Sequence, residues 1–302
     1  MKPLLLKTLG KAAARSVRRA CRPILDGVMR RLAPRLLRRR FHAFGVGLPK
    51  SGTHSLAAVL AQNYRSRHEP EGSRLMEFIT RWWDADAAEA EVREYLRDKD
   101  RRFRLEMDVA SHNNFLLDLL LVEFPAAKFI LTIRDPYTWL DSVFNFFPFG
   151  DEEGRRFRRR IQQKYYRLGL EKHPPEEAVL AQRGLLTLGA YFSRWAQVHR
   201  EIIAKVPAER LLVIKTAEIG PSLSRIASFL GIPSRTLDAA KAHSFPTRQK
   251  LGILASLDSD YVEIQVRRHC SELLDRFFHG VKPFWRSRAK RRSHRHYGNG
   301  AF

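Results

Sequence analysis

The run Gly47-Leu-Pro-Lys50-Ser-Gly52-Thr53-His54-Ser55 has the residue types and spacing of an anion-binding turn. Its two glycines let a backbone fold tightly and turn its N–H groups inward, while Lys50 supplies a cation and Ser51, Thr53 and Ser55 supply hydroxyls. Such a turn suits the binding and transfer of a phosphate-like group, with positive charge where a leaving oxygen gains negative charge. A triphosphate loop requires Gly-x4-Gly-Lys-Ser/Thr. Gly47 and Gly52 meet the glycine spacing, but Thr53 stands where the lysine belongs, and Lys50 lies two residues before the second glycine. Without the Lys-Ser/Thr step, magnesium-bound triphosphate geometry loses its support.

The flanking residues say how the turn is held. Phe41 to Val46 is an apolar run that reads as a short buried strand, and Ser55 to Ala61 reads as a helix. Strand, tight loop and helix N-terminus together form an anion cradle, because the helix dipole adds to the inward N–H groups. A second stretch repeats the plan. Lys128 to Ile133 reads as a buried strand that ends at Arg134-Asp135-Pro136, and a helix over 137–146 carries Ser142. A guanidinium makes forked, charge-assisted bonds to phosphate, and a hydroxyl on the next helix adds another.

These two stretches together resemble the sulfotransferases that use PAPS (3′-phosphoadenosine 5′-phosphosulfate). The loop Pro49-Lys50-Ser51-Gly52-Thr53 matches that family's 5′-phosphosulfate loop residue for residue, and Arg134 with Ser142 eight positions later matches its 3′-phosphate pair. The resemblance covers roughly residues 41–280 and is densest at 45–60 and 125–145. It implies that Lys50 touches the bridging oxygen of the bond that breaks, helped by the Ser51, Gly52, Thr53, His54 and Ser55 segment. It implies PAPS as donor, PAP as product, no metal, and a hydroxyl or amine acceptor such as a carbohydrate, a lipid-linked sugar or a small hydroxylated metabolite. The proton acceptor stays open among several residues. His112 precedes Arg134 by 22 positions, as the histidine does in the cytosolic members. Glu69 and Glu71 follow Lys50 by 19 and 21 positions, near the place of the glutamate in the Golgi carbohydrate enzymes. Asp108 lies near the end of a third strand. Two features depart from the cytosolic members. Ser55 stands where they carry an adenine-stacking tryptophan, and their C-terminal Arg-Lys-Gly motif has no clear match. The stretch His243 to Lys250 offers Arg248 and Lys250 in its place. An atypical P-loop kinase or NTPase, and a non-catalytic membrane-surface protein on this fold, are the competing readings.

Elements beyond the two turns follow from periodicity. A short strand is expected over 64–69, helices over 75–83 and 85–98, a strand over 102–109 and a helix over 114–124 with Phe115, Leu116, Leu119, Leu120 and Val122 available to its buried side. Further on come a helix over 186–205, a strand over 210–215 and a helix over 223–230 that Gly231 caps. Tyr191, Phe192 and Trp195 read as core. Strand–helix alternation argues for an α/β protein of three layers, a central parallel sheet with helices on both faces, and the resemblance makes it the P-loop NTPase-like sulfotransferase fold. Residues 148–182 change to a basic, aromatic composition and read as a helical insertion, which the resemblance puts on the acceptor side.

The chain has 302 residues and a net charge of +23. Residues 1–40 contribute +12 and residues 282–302 contribute +7, so the body at 41–281 carries only 23 − 12 − 7 = +4. Leu6, Leu9, Ala13, Val17, Cys21 and Leu25 recur at helical spacing between arginines, which marks residues 1–40 as a basic amphipathic extension suited to an anionic membrane surface. No nucleic-acid motif accompanies the charge, so nucleic acid is not an expected partner. Cys21 and Cys270 cannot build a disulfide framework, and no stretch of 18 apolar residues exists. The expectation is a cytoplasmic protein, peripheral on the inner membrane surface.

Overall fold

A computed structural model describes residues 38–146, 172–243, 250–283 and Trp285. The extension at 1–37, the greater part of the expected insertion, Arg248 and most of the basic tail lie outside the described residues. Five strands form one sheet: β1 (Ala43–Val46), β2 (Ser66–His68), β3 (Met107–Val109), β4 (Lys128–Ile133) and β5 (Leu211–Lys215). Their order is β2-β3-β1-β4-β5, and every pairing is parallel. Along the chain the helices are α1 (Thr53–Leu60), α2 (Gly72–Trp83), α3 (Glu89–Phe103), α4 (Leu117–Glu123), α5 (Pro136–Phe146), α6 (Ala178–Gln182), α7 (Leu188–Lys205), α8 (Leu223–Leu230) and α9 (Ser259–Phe277).

Both faces of the sheet are covered because its central strands are apolar on both sides. In β4, Phe129, Leu131 and Ile133 enter one core with Phe44, Val46, Tyr191, Phe192 and Trp195, while Ile130 enters a second core with Leu56, Leu60, Ile226 and Leu230. Alternate residues of a strand face opposite ways, so one strand feeds two layers. α1 and α8 make the thin layer; α2 to α5, α7 and α9 make the thick one. Gly45 in β1 leaves room for the adjacent strand's Val109, whose Cγ1 would lie 2.5 Å from any added Cβ. Gly231 ends α8 in the left-handed region at φ 73°, as its place after Leu230 predicts.

The differences from the sequence expectations cluster in one region. The strand expected over 102–109 is only β3, because α3 continues to Phe103. Arg102 is held there by Asp98 one turn back and by Glu71, so its neighbours stay helical. The helix expected from 114 begins as a 3₁₀ turn at Ser111–Leu116, and Val122 faces solvent. α9, whose Val262, Val266 and Cys270 pack into the thick layer, was not anticipated from periodicity. Among the described residues no helix is long and apolar enough to cross a membrane.

β1 and β4 are neighbours at the centre, and the chain leaves them towards opposite edges of the sheet, to β2 and to β5. That divergence opens a crevice at their carboxyl ends, where ligands of open parallel sheets bind. The loop after β1 and Arg134 after β4 both stand at it.

Candidate active site

The loop from Gly47 to Gly52 is fastened from four elements. Gly47, with φ 146°, leaves no space for a side chain: an added Cβ would lie 2.7 Å from the Thr132 carbonyl oxygen. Asn114 brackets it, accepting from the Gly47 N–H at 3.0 Å and donating to the Gly47 carbonyl at 2.7 Å. Trp139 of α5 donates from Nε1 to the Pro49 carbonyl at 3.0 Å. Ser51 is fully buried; its hydroxyl donates to the Leu48 carbonyl at 2.7 Å and lies 3.0 Å from Thr132 Oγ1. Thr216, just past β5, presents its hydroxyl to the carbonyls of Ser51 and Ile133. Ser51 thus shapes the loop with its side chain.

So fastened, the loop forces Lys50 to φ 69°, a left-handed conformation uncommon outside glycine. The Lys50 ammonium rests 4.3 Å over the Phe146 ring. Arg134 donates from Nη1 to the Lys50 carbonyl at 3.3 Å and from Nε to Thr138 Oγ1 at 3.0 Å. Burial, with Arg134's charge second, holds the Lys50 ammonium below its ordinary pKa; burial does the same to Arg134. Among the described residues neither cation is ion-paired with a carboxylate. Ser142 is buried on α5. Lys250 is tied to the same helix, its Nζ on Asp141 and the following Leu251 N–H on Asn145 Oδ1 at 2.6 Å. Asp141 also attracts Arg134, so Arg134, Ser142 and Lys250 share one neighbourhood. At the other end of the loop Gly52 caps α1 at φ 98° with no side chain over the helix end. A helix N-terminus and two cations that lack a carboxylate partner among the described residues therefore stand together at the crevice, a combination that suits an anion.

A model of the sulfotransferase domain matches residues 42–251. The chain belongs to the sulfotransferase family. Solved structures to which the chain is similar include the sulfotransferase STF9 from Mycobacterium avium, 12% identical, TM-score 0.48, over 85% of this chain and 82% of that one. A sulfotransferase from Alicyclobacillus acidocaldarius is 17% identical, TM-score 0.43, over 81% and 97%. Mouse sulfotransferase SULT7A1, solved with PAP, is 16% identical, TM-score 0.36, over 81% and 87%. No curated protein matches the chain by sequence.

Within this sulfotransferase domain the candidate proton acceptors occupy different surroundings. Glu71 grips Arg102 with both oxygens at 2.8 Å and accepts from Tyr95 Oη at 3.0 Å; chiefly the Arg102 bonds hold its carboxyl below the usual carboxylate range. Asp108 shares the sheet face of Phe44 and turns into a cavity of about 20 Å³ in the thick layer, where Lys99 holds its Oδ2 at 2.7 Å. His112 carries a buried Nδ1 with no hydrogen-bond partner among the described residues, and burial lowers its pKa. Glu69 accepts from Ser111 Oγ at 2.8 Å and makes no ion pair among the described residues. It is the acid that most affects three imidazoles, His54, His68 and His112. His54 also feels the charge of Lys50, so Glu69 and Lys50 act on the same imidazole with opposite sign.

Sequence reasoning did not select Asn114, Trp139, Thr216 or His68. His68 stood next to the chosen Glu69, and its place in β2, whose carboxyl end points at the crevice, was the available signal. The other three carry no local pattern.

Proposed function

We propose that the chain transfers a sulfuryl group from PAPS to a hydroxyl or amine acceptor. The observation that carries this reading is the pairing of Lys50 and Arg134, two partly buried cations in contact through the Lys50 carbonyl at the carboxyl ends of adjacent strands. A donor with a 5′-phosphosulfate and a 3′-phosphate matches the two ends of the site. Pro49, Lys50, Gly52, Thr53, His54 and Ser55 would surround the first, with Ser51 holding their shape. Arg134, Ser142 and Lys250 would surround the second, with Arg248 of the neighbouring stretch as a further candidate.

The reaction is an in-line displacement at sulfur. The acceptor oxygen or nitrogen forms the new bond to sulfur as the bond between sulfur and the bridging phosphate oxygen breaks. Lys50 leaves Phe146 and neutralises the charge gathering on that bridging oxygen. Glu69 takes the acceptor's proton; Glu71 and Asp108 already serve Arg102 and Lys99, and His112 backs Glu69 from the interior. A saccharide and a lipid-linked molecule are both among the acceptors this chemistry admits.

The direct test is calorimetry of PAP with the purified chain, with and without magnesium, followed by transfer of labelled sulfate from PAPS into a cell extract. Binding of PAP independent of magnesium and labelled product are expected. Magnesium-dependent ATP binding with no PAP affinity would instead favour the kinase-like reading.

A further inference from the structure

Beside the loop lies a histidine, His68, that the transfer chemistry does not by itself require. Thr53 Oγ1, in the first turn of α1, is 3.1 Å from His68 Nε2 at the end of β2. The His54 and His68 rings are 5.0 Å apart. Glu69 follows His68, and the charge of His112, in the 3₁₀ turn after β3, acts on His68. Among the described residues no group of this kind has the convergence of a metal site. A hydroxyl between an imidazole and an anion has only one hydrogen to give. If the hydrogen goes to His68, a lone pair of Thr53 faces the anion and repels it. If Nε2 carries its own hydrogen, Thr53 accepts from the imidazole and is free to donate to the anion.

We propose that His68 is a positioning residue of the anion cradle: it donates from Nε2 to Thr53 Oγ1, turns the threonine hydroxyl towards the bound anion, and thereby couples donor binding to uptake of a proton. This rests on the sulfotransferase reading of the loop. The coupling follows from the charges around the ring. Without a ligand, burial keeps His54, His68 and His112 below the ordinary imidazole value, and the rings repel one another's charge; Lys50 acts the same way on His54 and Lys99 on His112. Glu69 opposes this for all three, and Asp108 for His112. An anion in the loop adds negative charge on the far side of Thr53 and so favours the protonated ring, whose Nε2 can only donate. The proton belongs to the coupled group as a whole, with His68 as the member bonded to the cradle.

The experiment uses the full chain with PAP as probe. Affinity is measured by calorimetry from pH 5.5 to 8, and at one pH in two buffers of different ionisation enthalpy, for wild type, H68Q and H68L. Relative to H68Q, whose profile carries the titration of PAP's own phosphates, wild type is expected to take up an additional fraction of a proton on binding and to gain several-fold in affinity towards the acid end. H68L, which removes the donor, is expected to lose about tenfold in affinity or more. H68Q keeps an N–H near the same place without titrating, so it should recover most of the loss and show a flatter pH profile. Wild-type affinity in H68L, or an unchanged pH profile in H68Q, would overturn the proposal. If wild-type protein binds no PAP at any pH, the sulfotransferase reading of the loop fails instead. Circular dichroism of each variant separates misfolding from lost binding.

Discussion

Lys50 and Arg134 are held close at a cost in burial and, for Lys50, in repulsion from Arg134, and a bound anion would offset that cost. Lys50→Ala should therefore relieve the empty protein slightly while removing charge stabilisation in the transition state. Transfer from PAPS should fall about 10²–10³-fold, with thermal unfolding unchanged or raised. A loss of fold in that variant would mean that the lysine is structural. The two neighbouring glutamates separate chemistry from support in the same way. Glu69→Gln keeps the shape and the bond from Ser111 but cannot accept a proton, so kcat should fall about 10²–10⁴-fold with PAP affinity retained. Glu71→Gln should leave kcat near wild type and cost about 1–2 kcal/mol in urea unfolding, because it breaks the forked pair with Arg102. The reverse pattern would exchange their roles. Sequence alone left these two level for a physical reason. Glu69 and Glu71 both have left-handed backbone, at φ 48° and 57°, so the alternation that tells one side of a strand from the other stops at His68.

At the scale of elements, the loop, both flanking helices and the central strands were legible because each is a local pattern: glycines at fixed spacing, apolar runs, a polar residue ending a strand. The fastenings were not. Asn114 reaches Gly47 across 67 residues and Thr216 reaches Ser51 across 165, separations over which a single sequence has no periodicity to read. The misplaced strand over 102–109 has the same origin, since Arg102 stays helical through a partner 31 residues earlier. These long-range bonds make the cradle a property of several elements at once. Asn114→Ala would leave the buried N–H and carbonyl of Gly47 unpaired, at about 2–4 kcal/mol for the two groups. The expected readout is a lower urea midpoint together with weaker PAP binding, because the loop between β1 and α1 loses its clamp. Unchanged stability would show that solvent replaces both bonds and that the loop is held by Trp139 and Thr216 alone.

Across the whole molecule the buried imidazoles set how the fold responds to acid. His199 in α7 is fully buried, donates from Nδ1 to the Trp195 carbonyl at 2.6 Å and leaves Nε2 without a partner among the described residues; burial brings its pKa down to about 4. His42 at the start of the sheet lies 3.4 Å from Asp100, yet Arg39 already holds that carboxylate, and burial reinforced by Arg39's charge brings this imidazole to about 4 as well. Both are neutral in the fold and titrate near 6.5 when unfolded. The unfolded chain therefore binds more protons as pH falls, so stability is full above about 6.5 and declines until about 4, where the folded imidazoles also titrate. The slope is about 1.4 kcal/mol per pH unit for each histidine, or about 3 kcal/mol each over the window. Glu71, Glu106 and Glu123, held below the ordinary carboxylate value of 4.5, lose their contributions only below it, so the decline from pH 6.5 to 5 belongs to histidine. His199→Leu, measured by urea unfolding at several pH values, should lose about one proton from that slope; a slope equal to wild type would mean that water reaches Nε2 and that the ring charges within the fold. Ligand reverses the sign only at the loop, where PAP would raise the pKa values of His54, His68 and His112, so saturating PAP should stabilise the protein most on the acid side of the same window.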